Sequence, residues 1–219
     1  MKIAFLVDCS NFDKYACALP PEWEAVHFGN GPVDEDALVA SKAEAILADP
    51  MLKISAAVIA RMPQLKVIHS FGVGYNGIDC AAAKAAGIYV CNNAGVNAEA
   101  VAEQTILLML AVLRKYHYAE AMTYAARQGE FKGMCFENGL PELGDCKVGL
   151  IGFGAIGQEV ARRLEGFGCE VYYYRRTALD QPIVYGAAPM PQEKILSTCD
   201  IVSLHVPVTP DSYKRYRKQ

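Results

Sequence analysis

Short apolar runs alternate with segments of helical periodicity along most of the chain. Buried strands are predicted where four to six mainly apolar residues occur together, at 2–7, 65–70, 88–91, 147–151, 169–174 and 201–206. Helices are predicted where apolar residues recur at helical spacing, at 33–48, 53–61, 79–86, 97–116, 155–166 and 193–197. Strands that alternate with helices in this way indicate an α/β fold with parallel sheets.

The longest predicted helix begins near Asn97, which we expect to cap its first turn with its side chain. Apolar residues follow one face of this helix, and Ile106, Leu107 and Leu110 fill the opposite side. Its middle should therefore be covered all round, as in a helix packed between two domains or two subunits.

Two stretches of the chain show no stable periodicity. Residues 11–33 are rich in Pro, Gly and Asn, and no element can be placed there. Residues 129–145 contain several glycines, a proline and mixed charges, which favours a loop or linker. The pattern thus predicts two α/β units joined near residues 97–146.

Composition narrows the class of protein. The 219 residues are 53% apolar and 21% charged with a net charge of −3, which is typical of a globular chain and not of a disordered or nucleic-acid-binding one. The apolar run at 105–113 is far shorter than the ~20 residues that span a membrane. The first apolar run breaks at Asp8, unlike a signal peptide, and the eight cysteines lack C-x-x-C or zinc-ligand spacing. We expect a cytoplasmic protein with reduced thiols and no metal site.

Candidate chemistry centres on a glycine motif between a predicted strand and helix. Gly152, Gly154 and Gly157 form G-x-G-x-x-G, in which the first glycine permits a tight turn and the second lets a pyrophosphate approach. The third allows the helix to pack closely on the strand, and the N–H groups that begin the helix bind phosphate. The same motif also occurs in strand–helix turns that bind no nucleotide, and similar turns bind S-adenosylmethionine.

The residues after the next strand bear on the choice of cofactor. An NAD site has a carboxylate there for the ribose hydroxyls, whereas this chain has Arg175, Arg176 and Thr177. Guanidinium groups can pair with a 2′-phosphate, so we predict NADP(H) in preference to NAD(H). The alternative is that both arginines are ordinary surface charges. A methyltransferase, which would need acidic ribose contacts, is disfavoured.

Several segments together resemble the D-isomer-specific 2-hydroxyacid dehydrogenases. They are LKVIHSFGVGYNGID at 65–79, VAE at 101–103, VGLIGFGAIG at 148–157 and HVPVTP at 205–210. The resemblance covers about residues 44–212 in the family's order, and YRRT at 174–177 is similar to the NADPH-dependent glyoxylate and hydroxypyruvate reductase branch. It implies two Rossmann-like units, a flavodoxin-like substrate domain at 1–96 and a partial NAD(P)-binding domain at 147–219. Residues 97–146 would then be the interdomain and dimer-forming helix with a linker.

The resemblance also implies two groups of ligand-binding residues. Val73 and Gly74 match the turn whose backbone N–H groups hold the carboxylate of a 2-keto or 2-hydroxy acid. The residues that match the family's cofactor contacts are Gly152, Gly154, Ala155, Ile156, Gly157, Arg175, Arg176, Thr177, Val206 and Pro207.

The catalytic Arg, Glu and His of that family come from motifs beyond the strand that ends at Pro207, and this chain ends twelve residues later. We therefore assign no catalytic residue, and we take His205 to be structural or adjacent to the cofactor. The chain is expected to be incomplete, weak or inactive as an enzyme, and marginally stable because the strand at 201–206 would become an exposed edge. The alternative function is a non-catalytic nucleotide-binding or interaction protein of the same fold.

Overall fold

Two parallel sheets organise the chain in the computed structural model, which describes residues 1–10, 18–29, 31–177, 185–207 and 212. The chain divides into two units, Met1–Val96 and Asn97–Gln219. Each unit has its own sheet and its own buried apolar cluster. The α/β class with two parallel-sheet units is confirmed.

The first unit contains five strands and three short helices among its described residues. The strands are β1 (Lys2–Leu6), β2 (Glu24–His27), β3 (Ala45–Ala48), β4 (Val67–Ser70) and β5 (Tyr89–Asn92). The helices are α1 (Glu35–Ala40), α2 (Ala56–Ala60) and α3 (Cys80–Ala85). The sheet order β2-β1-β3-β4-β5, parallel throughout, is the flavodoxin-like order.

The sheet of the first unit is buried because its central strands are apolar on both faces. Ala4, Ile46 and Ile68 are almost fully buried on one face, and Phe5 and Ala45 lie in a second cluster on the other. Two covered faces are what a parallel sheet with crossover helices requires. The helix predicted over 33–48 is therefore wrong beyond Ala40, since a turn follows and Ala45–Ala48 is strand β3 between β1 and β4.

The second unit begins with three helices and continues with a four-stranded sheet. Its helices are α4 (Ala98–Leu113), α5 (Tyr116–Tyr124), α6 (Gln128–Asn138), α7 (Ala155–Leu164) and α8 (Gln192–Thr198). Its strands are β6 (Lys147–Ile151), β7 (Glu170–Tyr174), β8 (Ala188–Pro189) and β9 (Ile201–Leu204). The parallel order β8-β7-β6-β9 corresponds to 3-2-1-4, the first four strands of a dinucleotide-binding sheet.

Helix α4 differs from its prediction in two respects. Asn97 occupies the N-cap position, but its side chain makes no capping hydrogen bond. The helix packs against α7 and buries residues such as Ala102 and Ile106, whereas Leu108 and Val112 are 56% and 76% exposed. Within its own unit, α4 is therefore covered on one side, not all round.

Helix α6 occupies a stretch in which a loop was predicted. The helix buries no residue, so Gly129 and Gly133 leave no gap in any packed surface. The only destabilisation they cause is that of glycine's low helix propensity. Arg127 and Glu130 form a two-pronged ion pair across the first turn, and Gly139 ends the helix with φ +69°. The ion pair and Gly139 mark the start and the end of the helix, although one exposed pair contributes only about 0.2–0.5 kcal/mol.

Besides β3, two further strands were not predicted, and two predicted strands, β5 and β9, lie at sheet edges. β2 is short and half-exposed, and β8 has two residues. β9 pairs with β6 alone among the described strands and leaves Leu204 about half exposed. In the described part of the chain, no helix is long and apolar enough to cross a membrane, and no cluster of three metal-ligating side chains occurs.

Candidate functional site

The glycine turn lies between β6 and α7, and each glycine is required for a different reason. Gly152 has φ +99°, and a Cβ there would collide with the backbone carbonyl of His205. A Cβ on Gly157 would collide with the carbonyl of Gly152, so α7 can approach β6 this closely only with glycine. A Cβ on Gly154 would meet nothing within 4 Å. Steric packing therefore accounts for two of the glycines, and open space lies beside the third.

The first turn of α7 presents N–H donors beside that open space. Gly154 is the N-cap, and the first hydrogen bond of the helix runs from Gln158 N to Gly154 O, 3.0 Å. The N–H groups of Ala155, Ile156 and Gly157 therefore have no acceptor among the residues that the structure describes. Together with the positive end of the helix dipole, these donors can bind a phosphate group.

Three strands of the second unit end at this turn. Gly152 N donates to Tyr174 O at 2.9 Å at the end of β7, and His205 N donates to Ile151 O at 2.7 Å at the end of β9. A Cβ on Gly152 would also lie 3.0 Å from Cγ1 of Val206, which places that side chain beside the turn. The carboxyl edge of a sheet, where the strand order reverses, is where doubly wound folds bind ligands.

The predicted 2′-phosphate residues follow β7 directly. Arg175 is half-buried and Arg176 and Thr177 are exposed. Arg175 Nη2 donates to Thr177 Oγ1 at 3.3 Å, so a guanidinium and a hydroxyl already lie together at the carboxyl end of β7. The described residues form no ion pair with either arginine, which leaves both charges available to an anion.

Within the part of the chain that the structure describes, two histidines form side-chain hydrogen bonds, and neither has a carboxylate partner. His205 Nε2 lies 3.0 Å from Ser203 Oγ, and burial lowers the pKa of His205, so its imidazole is neutral near pH 7. His69 Nε2 lies 3.1 Å from Asn93 Oδ1. Among the described residues, no histidine is oriented by an acidic side chain as a general acid would be.

The predicted carboxylate-binding turn follows β4 in the first unit. Gly72, Val73 and Gly74 carry backbone N–H groups that donate to no acceptor in the described part of the chain. The turn packs against Pro50, whose Cγ would lie 2.7 Å from a Cβ on Gly72. Glycine thus lets the turn lie against the segment after β3, with its N–H groups unpaired.

Sequence reasoning missed the side chains that hold this turn. Asn92 Nδ2 donates to Val73 O at 2.7 Å, Asn93 Nδ2 donates to Phe71 O at 2.8 Å, and the Ser70 hydroxyl donates to Gly74 O. The available signal was a pair of amide side chains after the strand at 88–91, next to the strand that leads into the turn.

The strand order, the glycine turn and the free N–H groups of α7 define a dinucleotide-binding domain in the second unit. Comparison with known proteins agrees. The family model for the NAD-binding domain of D-isomer specific 2-hydroxyacid dehydrogenases matches residues 106–219. The chain belongs to the D-isomer specific 2-hydroxyacid dehydrogenase family, as its motifs predicted.

The individual proteins to which the chain is similar include reductases and a dehydrogenase. The chain is similar to glyoxylate reductase of Thermococcus litoralis, 36% identical over 170 residues, covering 74% of this chain and 50% of that protein. It is 33% identical over 201 residues to hydroxypyruvate reductase of Thermotoga maritima, covering 90% and 63%. A crystal structure of D-lactate dehydrogenase from Aquifex aeolicus, complexed with NAD and lactic acid, superposes with a TM-score of 0.78 at 25% identity, covering 97% and 62%. The chain spans about half the length of the glyoxylate reductases that it matches.

Proposed function

We propose that this chain supplies the cofactor-binding and substrate-carboxylate-binding parts of an NADP(H)-dependent reductase of small 2-keto acids. The substrates would be glyoxylate, which gives achiral glycolate, or hydroxypyruvate, which would give a D-2-hydroxy acid. The observation that carries the proposal is the glycine turn, with Gly154 beside open space and unpaired N–H groups at the start of α7. The names of the glyoxylate and hydroxypyruvate reductases support the substrate class.

The preference for NADP(H) is supported by the end of β7. A 2′-phosphate carries two negative charges that a carboxylate at this position would repel. Arg175 and Arg176 supply two cations and Thr177 a hydroxyl, and no carboxylate of the described residues pairs with them. Val206 and Pro207 follow β9, where they would lie against the bound cofactor.

The residues of the first unit would hold the substrate. The N–H groups of Val73 and Gly74 would donate to its carboxylate, which fixes the neighbouring keto group in place. When bound, NADPH supplies the hydride that reduces the keto carbon, and the resulting alkoxide must receive a proton. Because neither His69 nor His205 has a carboxylate partner among the described residues, we expect this 219-residue chain to bind both ligands but to turn over slowly.

Cofactor binding is the first test. We expect NADPH to bind at least about tenfold more tightly than NADH, because one charge-assisted contact to the 2′-phosphate contributes about 1.5–3 kcal/mol. The measurement is a titration of each cofactor followed by nicotinamide fluorescence, at low and at high salt. Equal affinities, or tighter NADH, would contradict the NADP(H) assignment but leave the dinucleotide site intact. Failure to bind either would contradict the proposed function.

Turnover separates the enzyme from a non-catalytic binding protein. Oxidation of NADPH with glyoxylate or hydroxypyruvate would be followed at 1:1 enzyme and cofactor. A slow but substrate-dependent signal supports a reductase. Tight NADPH binding with no turnover for any small 2-keto acid favours a nucleotide-binding module of the same fold.

We also propose that the exposed face of α4 forms a homodimer contact. In the described structure, 56–76% of the surface of three apolar residues on this face is exposed, namely Leu107, Leu108 and Val112. Exposure of apolar side chains to water is unfavourable, and a second copy packed on this face would bury them. We expect the chain to sediment as a dimer and Leu108→Glu to shift it toward monomer by at least tenfold in Kd. Glu120→Lys on α5 is a surface control. A wild-type chain that is monomeric even at about millimolar concentration, and stays monomeric in 100-fold dilution steps from there, would contradict this contact.

The cysteines support a reducing compartment such as the cytoplasm. The seven that the structure describes form no disulfide with one another. Burial raises the pKa of Cys146, Cys169 and Cys199, which keeps those thiols protonated and unreactive. Such thiols need no oxidising environment for stability.

A further inference from the structure

Three successive carbonyl groups after β4 accept hydrogen bonds from the end of β5, where Asn92 is the last strand residue and Asn93 follows it. Asn93 holds two of them, since its Nδ2 donates to Phe71 O at 2.8 Å and its backbone N–H donates to Gly72 O at 3.0 Å. Asn92 holds the next, donating from Nδ2 to Val73 O at 2.7 Å. These contacts join residues 19 to 22 positions apart in the chain.

The fourth carbonyl is held from within β4. The hydroxyl of Ser70, which is fully buried, donates to Gly74 O. Ser70 is the parallel partner of Asn92 in the sheet, so the two donors are fixed by the same pair of strands. Asn93 is fixed in turn by His69, whose Nε2 lies 3.1 Å from its Oδ1. Since Nδ2 of Asn93 donates to Phe71, its Oδ1 is the acceptor and the imidazole is the donor.

Holding these carbonyls also orients the N–H groups of the turn. A trans peptide group is planar, so the C=O of one residue and the N–H of the next point in opposite directions. When Gly72 O and Val73 O point toward the asparagines, the N–H groups of Val73 and Gly74 must point away from them. Both N–H groups are without an acceptor among the described residues. The turn is therefore a pair of parallel donors whose direction is set from behind.

We propose that Ser70, Asn92 and Asn93 are positioning residues that preorganise these N–H groups for the carboxylate of a 2-keto or 2-hydroxy acid. This inference rests on the proposed function, because it assumes that the turn binds that carboxylate. A turn held in advance loses less conformational freedom on binding than a free one, and this raises affinity without any direct contact to the ligand. Asn92 acts directly on the peptide group that carries the Gly74 N–H. Asn93 and Ser70 hold the carbonyls on either side of it, before and after the Val73–Gly74 peptide.

The test uses the 219-residue chain, NADPH at saturation and oxamate, an unreactive analogue of a 2-keto acid. Backbone amide signals of residues 72–74 would report both binding and mobility by NMR. We expect Asn92→Ala, which removes the donor to Val73 O and so releases the Gly74 N–H, to weaken oxamate about tenfold and to lower the order parameters of these amides from about 0.85 to below 0.6. Asn138→Ala, which removes an asparagine-to-carbonyl hydrogen bond on α6, should change neither value.

The possible results separate the two proposals. If the wild-type chain does not bind oxamate, the carboxylate site fails, and the order parameters still decide whether the three side chains hold the turn. If wild type binds but Asn92→Ala binds equally well with rigid amides, the positioning role is overturned. Should Asn92→Ala fail to fold, Ser70→Ala and Ser70→Thr replace it. We expect the threonine, which keeps the hydroxyl, to bind at least fivefold more tightly than the alanine, and equal affinities would overturn the role.

Discussion

Substitution of Gly152 by alanine is expected to lower the free energy of unfolding of the second unit by about 3 kcal/mol or more. The new Cβ would collide with the carbonyl of His205, and neither β6 nor β9 can move without breaking the bond from His205 N to Ile151 O. A backbone angle of φ +99° adds strain for any residue with a side chain. The measurement is a urea melt followed by far-UV circular dichroism.

Gly154→Ala is the matched control, because its Cβ would enter open space at an ordinary backbone angle. We expect its stability to fall by less than about 1 kcal/mol, the scale of an N-cap substitution. Its affinity for NADPH should nevertheless fall at least tenfold, since the methyl group occupies the approach of the pyrophosphate. Equal stability losses for the two variants would mean that the turn is not packed as described. Unchanged NADPH binding by Gly154→Ala would remove the pyrophosphate from this turn.

The nucleotide-binding half was predictable because its determinants are local. The strand at 147–151, the glycine turn and the strand near 169–174 lie within 28 residues, and the structure places β6 and β7 within one residue of the prediction. Gly152 and Gly157 are needed for contacts that every such turn makes. The dinucleotide-binding fold could thus be inferred from one short segment, whereas the family also required the motifs at 65–79, 101–103 and 205–210.

Most of the missed features depend on partners that are distant in sequence, and one, helix α6, has no apolar pattern. Ala45–Ala48 is a strand because it lies between β1 and β4, although alanine and leucine favour helix. Helix α6 buries no residue, so its sequence has no apolar stripe from which a helix could be predicted. The side chains that hold the predicted carboxylate-binding turn were missed, like β3, because their partners are distant in sequence. Asn92 meets Val73 only once β4 and β5 have paired.

Removal of both arginines after β7 is expected to have the largest effect on cofactor choice. Arg175→Ala/Arg176→Ala should weaken NADPH about 100-fold and NADH less than threefold, because each lost charge-assisted contact to the 2′-phosphate is worth about tenfold or more. Arg175 should contribute the larger share, since it is half-buried and already hydrogen-bonded to Thr177, so it loses less freedom on binding. Titrations of both cofactors against each single variant would resolve the two shares.

Arg127→Ala on α6 removes a cation far along the chain from β7 and controls for net charge. Its NADPH affinity should equal that of wild type, although it loses the ion pair with Glu130. The wild-type preference should also shrink as salt rises, since exposed phosphate contacts are screened over about 10 Å at 0.1 M. If NADH and NADPH lose affinity equally in the double variant, the arginines serve the fold or the pyrophosphate. In that case the end of β7 does not select the 2′-phosphate, and the choice between the cofactors must arise elsewhere in the site.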